Sequence, residues 1–185
     1  MQSPNVSPES TQASPDWRNP DEFPADTGPP AAVRDWLLDM GSLTQRLREH
    51  YGARVSMTLT GQAEEPPLRE EAALLGMDSA QNALVRRVVL RVDGEPVVHG
   101  RAVIPPATLQ GEGGALARLD NRPLGEVAFA ELDATRRDLE IARLAAGSRV
   151  FPELGETAWA RRSVLDATVG PVLVTEAFLP ALLGK

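Results

Sequence analysis

The chain has 185 residues, 42% hydrophobic and 24% charged, with a formal net charge of −7. That length suits one domain with a real core, and the negative balance argues against nucleic acid, whose phosphates need a basic face. Cysteine is absent, which excludes disulfides and thiolate metal sites, and no stretch approaches the ~20 apolar residues of a membrane span.

Residues 1–30 carry seven of the sixteen prolines, and five acids (Glu9, Asp16, Asp21, Glu22, Asp26) against one base, Arg18. Such a stretch buries too little apolar surface to offset its ordering entropy, so a disordered tail over 1–30 is expected. Trp17 and Phe23 are its two candidates for docking. The N-terminus shows no basic segment followed by an apolar one, so no signal peptide is read and a cytoplasmic address follows by default. The folded domain is expected over 31–185. Its first helix is AAVRDWLLDM, with Val33, Trp36, Leu37 and Met40 on one stripe and Gly41 as its stop. Ser42 is the N-cap of a second helix, LTQRLREHY, closed by Gly52. A half-buried strand follows, alternating Val55, Met57 and Leu59 against polar neighbours. LREEAALLGM suggests a short helix and loop, with Glu70 and Glu71 on a solvated face.

The clearest element is a hairpin, ALVRRVVLRV (83–92) against PVVHGRAVIP (96–105), turned at Asp93-Gly94-Glu95. Residues 107–130 look like short helices and turns, and GEGG (111–114) like a flexible loop. DATRRDLEIARLAA (133–146) fits strand or helix nearly equally. WARRSVLDAT (159–168) and PVLVTEAFLP (171–180) form a second hairpin about Val169-Gly170. Hairpin-linked strands with helices at their ends give an α+β fold on an antiparallel sheet.

Two charges stand where these strands are apolar. Alternation puts Arg86 on the face of Leu84, Val88 and Leu90, and Glu176 on the face of Val172, Val174 and Phe178. A buried charge costs several kcal/mol unless it is met, so each needs a partner. The two can pair with each other, or they can grip opposite ends of a small ligand bearing a carboxylate and a hydroxyl. Two helix starts, Gly41-Ser42-Leu43-Thr44 and Pro123-Leu124-Gly125, offer backbone N–H groups to an anion; each alone is an ordinary turn or cap. Arg161 and Ser163 share one strand face, Arg162 and Val164 the other. No Walker loop, dinucleotide fingerprint or Gly-x-Ser-x-Gly elbow occurs, and His50 and His99 lack metal-ligand spacing.

Five stretches, WLLDMGSLTQRL (36–47), LVRRVVLRVDGEPVVHGRAVIP (84–105), RPLGEVAF (122–129), WARRSVL (159–165) and VLVTEAFLP (172–180), together resemble the chorismate pyruvate-lyase family. The resemblance implies a single α+β domain on an antiparallel sheet of about six strands, with helical flaps over an internal ligand cavity. It implies elimination of pyruvate from chorismate to leave 4-hydroxybenzoate for ubiquinone synthesis, without metal or organic cofactor. Carried over by position, Arg86 takes the ring carboxylate, the backbone N–H groups of Leu43 and Leu124 assist it, and Glu176 meets the 4-hydroxyl. Whether Glu176 orients or acts as base stays open, and base action needs a raised pKa. Leu43 stands where the family often has methionine, Met40-Gly41 where it often has a more acidic pair, and Arg87 where an acid is frequent. A monomer is expected. The rival readings are a small-acid effector-binding domain of the transcription-regulator type, and a structural domain in which Arg86 and Glu176 merely pair.

Overall fold

Six strands, β1 (Val55–Glu65), β2 (Ala83–Val92), β3 (Glu95–Ile104), β4 (Thr135–Leu144), β5 (Ala158–Ala167) and β6 (Gly170–Phe178), form one antiparallel sheet in the order β1-β2-β3-β6-β5-β4. The helices are α1 (Ala31–Leu37), α2 (Leu43–Tyr51), α3 (Arg69–Leu75), α4 (Leu124–Glu131) and α5 (Pro180–Leu183). The computed structural model describes residues 14–24 and 26–184. None of the described helices is long and apolar enough to cross a membrane.

Local chemistry explains most element ends. Ser42 accepts a hydrogen bond from the Gln45 amide and opens α2, and Gly52 closes it at φ 59°. Asp93 and Gly94 both take positive φ, so Val92 pairs directly with Glu95. The first hairpin therefore turns on two residues, the arrangement Asp-Gly favours, not on three. The second turns on Thr168 and Val169, one residue earlier than expected, because Ala167 pairs with Gly170. A Cβ on Gly170 would lie 2.7 Å from the Thr108 hydroxyl, so the strand start needs a glycine.

Several expectations change. The stripe over 31–40 stops early: α1 ends at Leu37, and Met40 is half exposed. The Arg161 guanidinium takes up the carbonyls of Trp36, Leu37 and Asp39, which satisfies the acceptors left over at the helix end. GEGG is no free loop. It opens a 3-10 helix over Gly111–Arg118, and a Cβ on Gly113 would fall 1.7 Å from the Thr108 carbonyl oxygen. Residues 135–144 settle as a strand, with a register shift between Arg137 and Glu140 and Asp138 at φ 52°. Glu71 is buried, not solvated.

The stretch expected as a free tail is docked where it is described. Arg18 exchanges backbone hydrogen bonds with Ile141 on edge strand β4. Trp17 packs against the apolar cluster that contains Phe151 and Leu154, under the Arg162 guanidinium, while Phe23 meets the Trp159 ring edge-on. Those two aromatics outweigh the proline-rich composition around them. The part of the expected tail over residues 1–13 lies outside the described residues.

The sheet is covered on both faces. On one, α3 and the 145–157 connection pack over Val85, Val103, Ala142, Ala160 and Leu173. On the other, two apolar clusters sit side by side. One joins α1 and α2 to Leu90, Val98 and Phe178; the other joins α4 and the 3-10 helix to Leu84, Ile104 and Val172. The candidate site lies at the seam between them.

Candidate functional site

A cavity of about 60 Å³ opens at that seam. Its floor is the central sheet, with Val88, Gly100 and Val174 among the lining residues. Its roof is formed by two helix starts, Leu43 and Thr44 of α2 and Pro123, Leu124 and Gly125 of α4. The first N–H groups of each helix have no acceptor within their own helix, and both positive ends border the same cavity. The starts stand close: a Cβ on Gly125 would be 3.7 Å from the Ser42 hydroxyl. An Arg48–Glu126 ion pair ties α2 to α4 at the surface.

Arg86 enters from β2 and is 2% exposed. Its Nη1 donates to Gln62 Oε1 at 3.0 Å, and its Nη2 to the carbonyls of Asp120 and Arg122, the latter at 3.1 Å. Its Nε is buried without an acceptor. Burial pulls this guanidinium below the ordinary arginine range, only partly countered by the charge of Asp120. Glu176 enters from β6 and does not pair with Arg86, which removes the direct structural pair as an account of the two charges. Its Oε2 instead accepts from Arg161 Nε at 2.5 Å and lies 4.0 Å from Arg136 Nη1. Burial pushes the Glu176 carboxyl up, but the charges of Arg161 and Arg136 and the Arg161 hydrogen bond hold it below the usual carboxylate range. These neighbours favour the ionised carboxylate, the opposite of the raised value that base action by burial needs.

The strand register explains these neighbours. Glu176 faces Gly100 on β3 and Arg161 on β5, and Arg86 faces Ala102 on β3 and Gln62 on β1. Residues opposite one another across antiparallel strands share a face. The four sequence-derived positions, Leu43, Arg86, Leu124 and Glu176, thus come to one cavity.

Arg136 lines the same cavity and Arg161 stands behind Glu176; neither is among the four positions carried over from the sequence. Arg161 already shared a face with Ser163 on alternation, but its partner depends on register. Arg136 sits in the stretch whose helix or strand character was undecided. Arg136 lines the cavity and donates to the Ser163 hydroxyl, to Met40 O at 3.3 Å and to Gly41 O at 3.1 Å. Burial pulls its guanidinium down to about 10, against the pull of Glu176 and with the push of Arg161. It remains a cation at neutral pH.

The chorismate lyase family model matches residues 13–185. A probable chorismate pyruvate-lyase of Thiobacillus denitrificans is 42% identical, over 83% of this chain and 86% of that one. One from Coxiella burnetii is 37% identical over 90% and 92%. The chorismate pyruvate-lyase of Citrobacter koseri is 41% identical over 80% and 82%. Among solved structures, PhnF from Mycobacterium smegmatis superposes with a TM-score of 0.60 at 19% identity, over 78% of this chain and 66% of that one. Its effector domain does so with a TM-score of 0.57 at 18% identity, over 78% and 91%. Those structures share the fold alone. The matched span and the identities to curated relatives establish that the chain belongs to the chorismate lyase family.

Proposed function

We propose that the protein is a carbon–oxygen lyase that removes pyruvate from chorismate and leaves 4-hydroxybenzoate, the precursor used for ubiquinone. The observation that carries this reading is the buried cavity to which Arg86 and Glu176 come from different strands without touching each other. A ring carrying a carboxylate at one end and a hydroxyl at the other fits that pair. Arg86 takes the carboxylate through charge-assisted bonds, its unmet Nε among the donors, and the Leu43 and Leu124 backbone N–H groups assist. Glu176, held as an anion by Arg161, accepts from the 4-hydroxyl.

In the reaction the C3–O bond breaks and the ether oxygen leaves with its electron pair. The hydrogen leaves C4, and the C4–H electrons complete the aromatic ring. The released enolate gains a proton at its methylene carbon and becomes pyruvate. That proton can be the hydrogen from C4 itself, which needs no protein base. The residues then supply orientation and electrostatics, the two contributions a fixed, dry site makes best. Glu176 orients the ring by its hydroxyl, and the cations stabilise charge on the departing enolpyruvate. No metal or organic cofactor enters this scheme.

The cavity has room for roughly four to six waters at about 10–15 Å³ each, the bulk of a single substituted ring. Chorismate is larger, so α2 and α4 part to admit it and close again on the product. Slow release of 4-hydroxybenzoate follows from that closure. The catalytic unit in this reading is residues 31–185, acting as a cytoplasmic monomer without nucleic acid; the net charge of −7 fits the last point.

The test is to mix purified protein with chorismate and follow 4-hydroxybenzoate absorbance without added metal. Turnover supports the lyase. Binding of 4-hydroxybenzoate without turnover supports an effector-binding domain, which the shared fold allows. Neither binding nor turnover leaves a structural domain.

A further inference from the structure

We propose that Arg136 is a second carboxylate anchor of this site, gripping the enolpyruvyl carboxylate while Arg86 holds the ring carboxylate. The assignment rests on the lyase reading and names the residue that tells substrate from product.

The cavity side of the sheet buries three arginines, Arg86, Arg136 and Arg161, against one carboxylate, Glu176. The formal balance is three minus one, or +2. Asp120 and Asp39 stand nearby, but Asp120 is exposed and Asp39 is 25% exposed and already paired with Arg46, so neither closes that balance from inside. A buried excess of two positive charges matches a dianion. Chorismate has two carboxylates; 4-hydroxybenzoate has one.

Elimination among the cations leaves Arg136 for the second carboxylate. Arg161 does not line the cavity; it is fully buried behind Glu176, which takes its Nε, while three carbonyls at the α1 end take its Nη1 and its Nη2 is buried without an acceptor. Arg101 lines one edge of the cavity, but both of its arms are held by the buried Glu71 carboxylate at 2.7 and 2.9 Å. Arg136 has neither commitment. Three of its five N–H groups meet a hydroxyl and two carbonyls, all neutral, and its closest carboxylate oxygen is 4.0 Å away. Two N–H groups remain for a ligand. The neutral acceptors fix the direction of the fork without discharging it.

Position supports the same division. Arg86 is on β2 and Arg136 on β4, four strand spacings apart in the order β2-β3-β6-β5-β4. At about 4.8 Å per spacing their backbones are separated by roughly 19 Å, and the two long side chains reach the cavity from opposite sides. Glu176 lies on β6 between them. A ring held at its carboxylate by Arg86 and at its 4-hydroxyl by Glu176 directs its 3-ether toward the β4 side. When the C3–O bond breaks, the negative charge moving onto the enolpyruvate is already on that side.

The test uses binding as well as turnover. 3-(1-Carboxyvinyloxy)benzoate carries both carboxylates and is already aromatic, so it cannot react. Its affinity and that of 4-hydroxybenzoate are measured by calorimetry, with kcat/KM for chorismate alongside. Arg136→Gln should weaken the dianion by at least ~30-fold and leave 4-hydroxybenzoate within about threefold, whereas Arg86→Ala should weaken both. Arg136→Lys should recover part of the dianion affinity. Equal weakening of both ligands in Arg136→Gln, or no weakening of the dianion, overturns the proposal. If Arg136→Gln does not fold, Ser163→Ala removes the hydroxyl that aims the guanidinium. It should weaken the dianion selectively, and an equal effect on both ligands overturns the assignment there too. Wild-type turnover of chorismate with an unselective Arg136→Gln would sink the anchor and spare the lyase. Selective dianion binding through Arg136 without turnover would do the reverse.

Discussion

The two faces of the sheet treat the same residue type in opposite ways. Strand β2 carries Arg86 and Arg87 in succession, and β5 carries Arg161 and Arg162, so alternation sends one of each pair to either side. On the face under α3, Arg87 pairs with Glu65, Arg101 with Glu71 and Arg162 with Glu140: three cations meet three carboxylates. On the cavity face, Arg161 and Arg136 share the one buried carboxylate among the described residues, Glu176, and Arg86 meets only neutral acceptors. The electrostatics follow. Burial pulls Arg101 down, but Glu71 and Glu65 outweigh it and raise the guanidinium, whereas Arg86 and Arg136 end up lowered. An ion pair completed within the chain is structure. An under-compensated one is a place where stability is lower than it could be, and a ligand of opposite charge restores it.

The largest effect expected is on the incomplete face. Arg86→Ala should lower kcat/KM for chorismate and affinity for 4-hydroxybenzoate together, by ~10²–10⁴, since two charge-assisted bonds at ~1.5–3 kcal/mol each are lost. Unchanged product binding would refute the assignment. The same variant should lose less folding stability than a break on the complete face. There, Arg101→Met leaves the Glu71 carboxylate, 3% exposed, without its partner, and urea unfolding should report a loss of about 3–5 kcal/mol. The double variant Arg101→Met with Glu71→Leu should regain most of it, because a buried pair can be replaced by apolar groups at little net cost. A double variant as unstable as the single one would mean the faces do not differ as described.

This contrast also marks what the sequence made legible. The hairpins, the α2 start at Ser42 and the faces of Arg86 and Glu176 follow from turn chemistry and period 2, which are local. The partners do not. Glu71 looked solvated because its neighbours are charged, yet α3 turns it onto Arg101 from another strand. Alternation alone lets Glu176 either pair with Arg86 or share a ligand with it, and register places Arg161 directly beside it. Arg136 stayed hidden because residues 133–146 score alike as helix and strand, and a strand with a shift at Asp138 blurs the period further. Of the four positions that share the cavity, Arg86 and Glu176 stand out by alternation and Leu43 and Leu124 lie at helix starts, while their roles come from the family resemblance. The cations that unbalance the charge of this face, Arg136 and Arg161, take their places only once the sheet is assembled.

The smallest effect tests whether Glu176 acts as a fixed anion. Its pKa in the folded protein lies below the unfolded value, so between the two the unfolded chain binds the extra proton. Stability then falls as the pH drops below about 4.5, the unfolded carboxyl value, and is fully present above it. Glu65 is lowered too, with burial opposing and Arg87 and Arg101 prevailing, so it contributes a second acid slope of the same sign from the other face. Glu176→Gln removes one contribution and keeps the other. At neutral pH it should cost about 1–3 kcal/mol, the loss of a hydrogen bond between charged groups, since Arg161 retains its three carbonyls. Its stability curve should run closer to wild type as the pH falls through the acid range, and it should keep turnover within about tenfold because an amide oxygen still accepts from the 4-hydroxyl. Complete loss of turnover in a folded Glu176→Gln, with stability that tracks wild type at every pH, would instead make Glu176 the proton acceptor and leave its pairing with Arg161 without consequence.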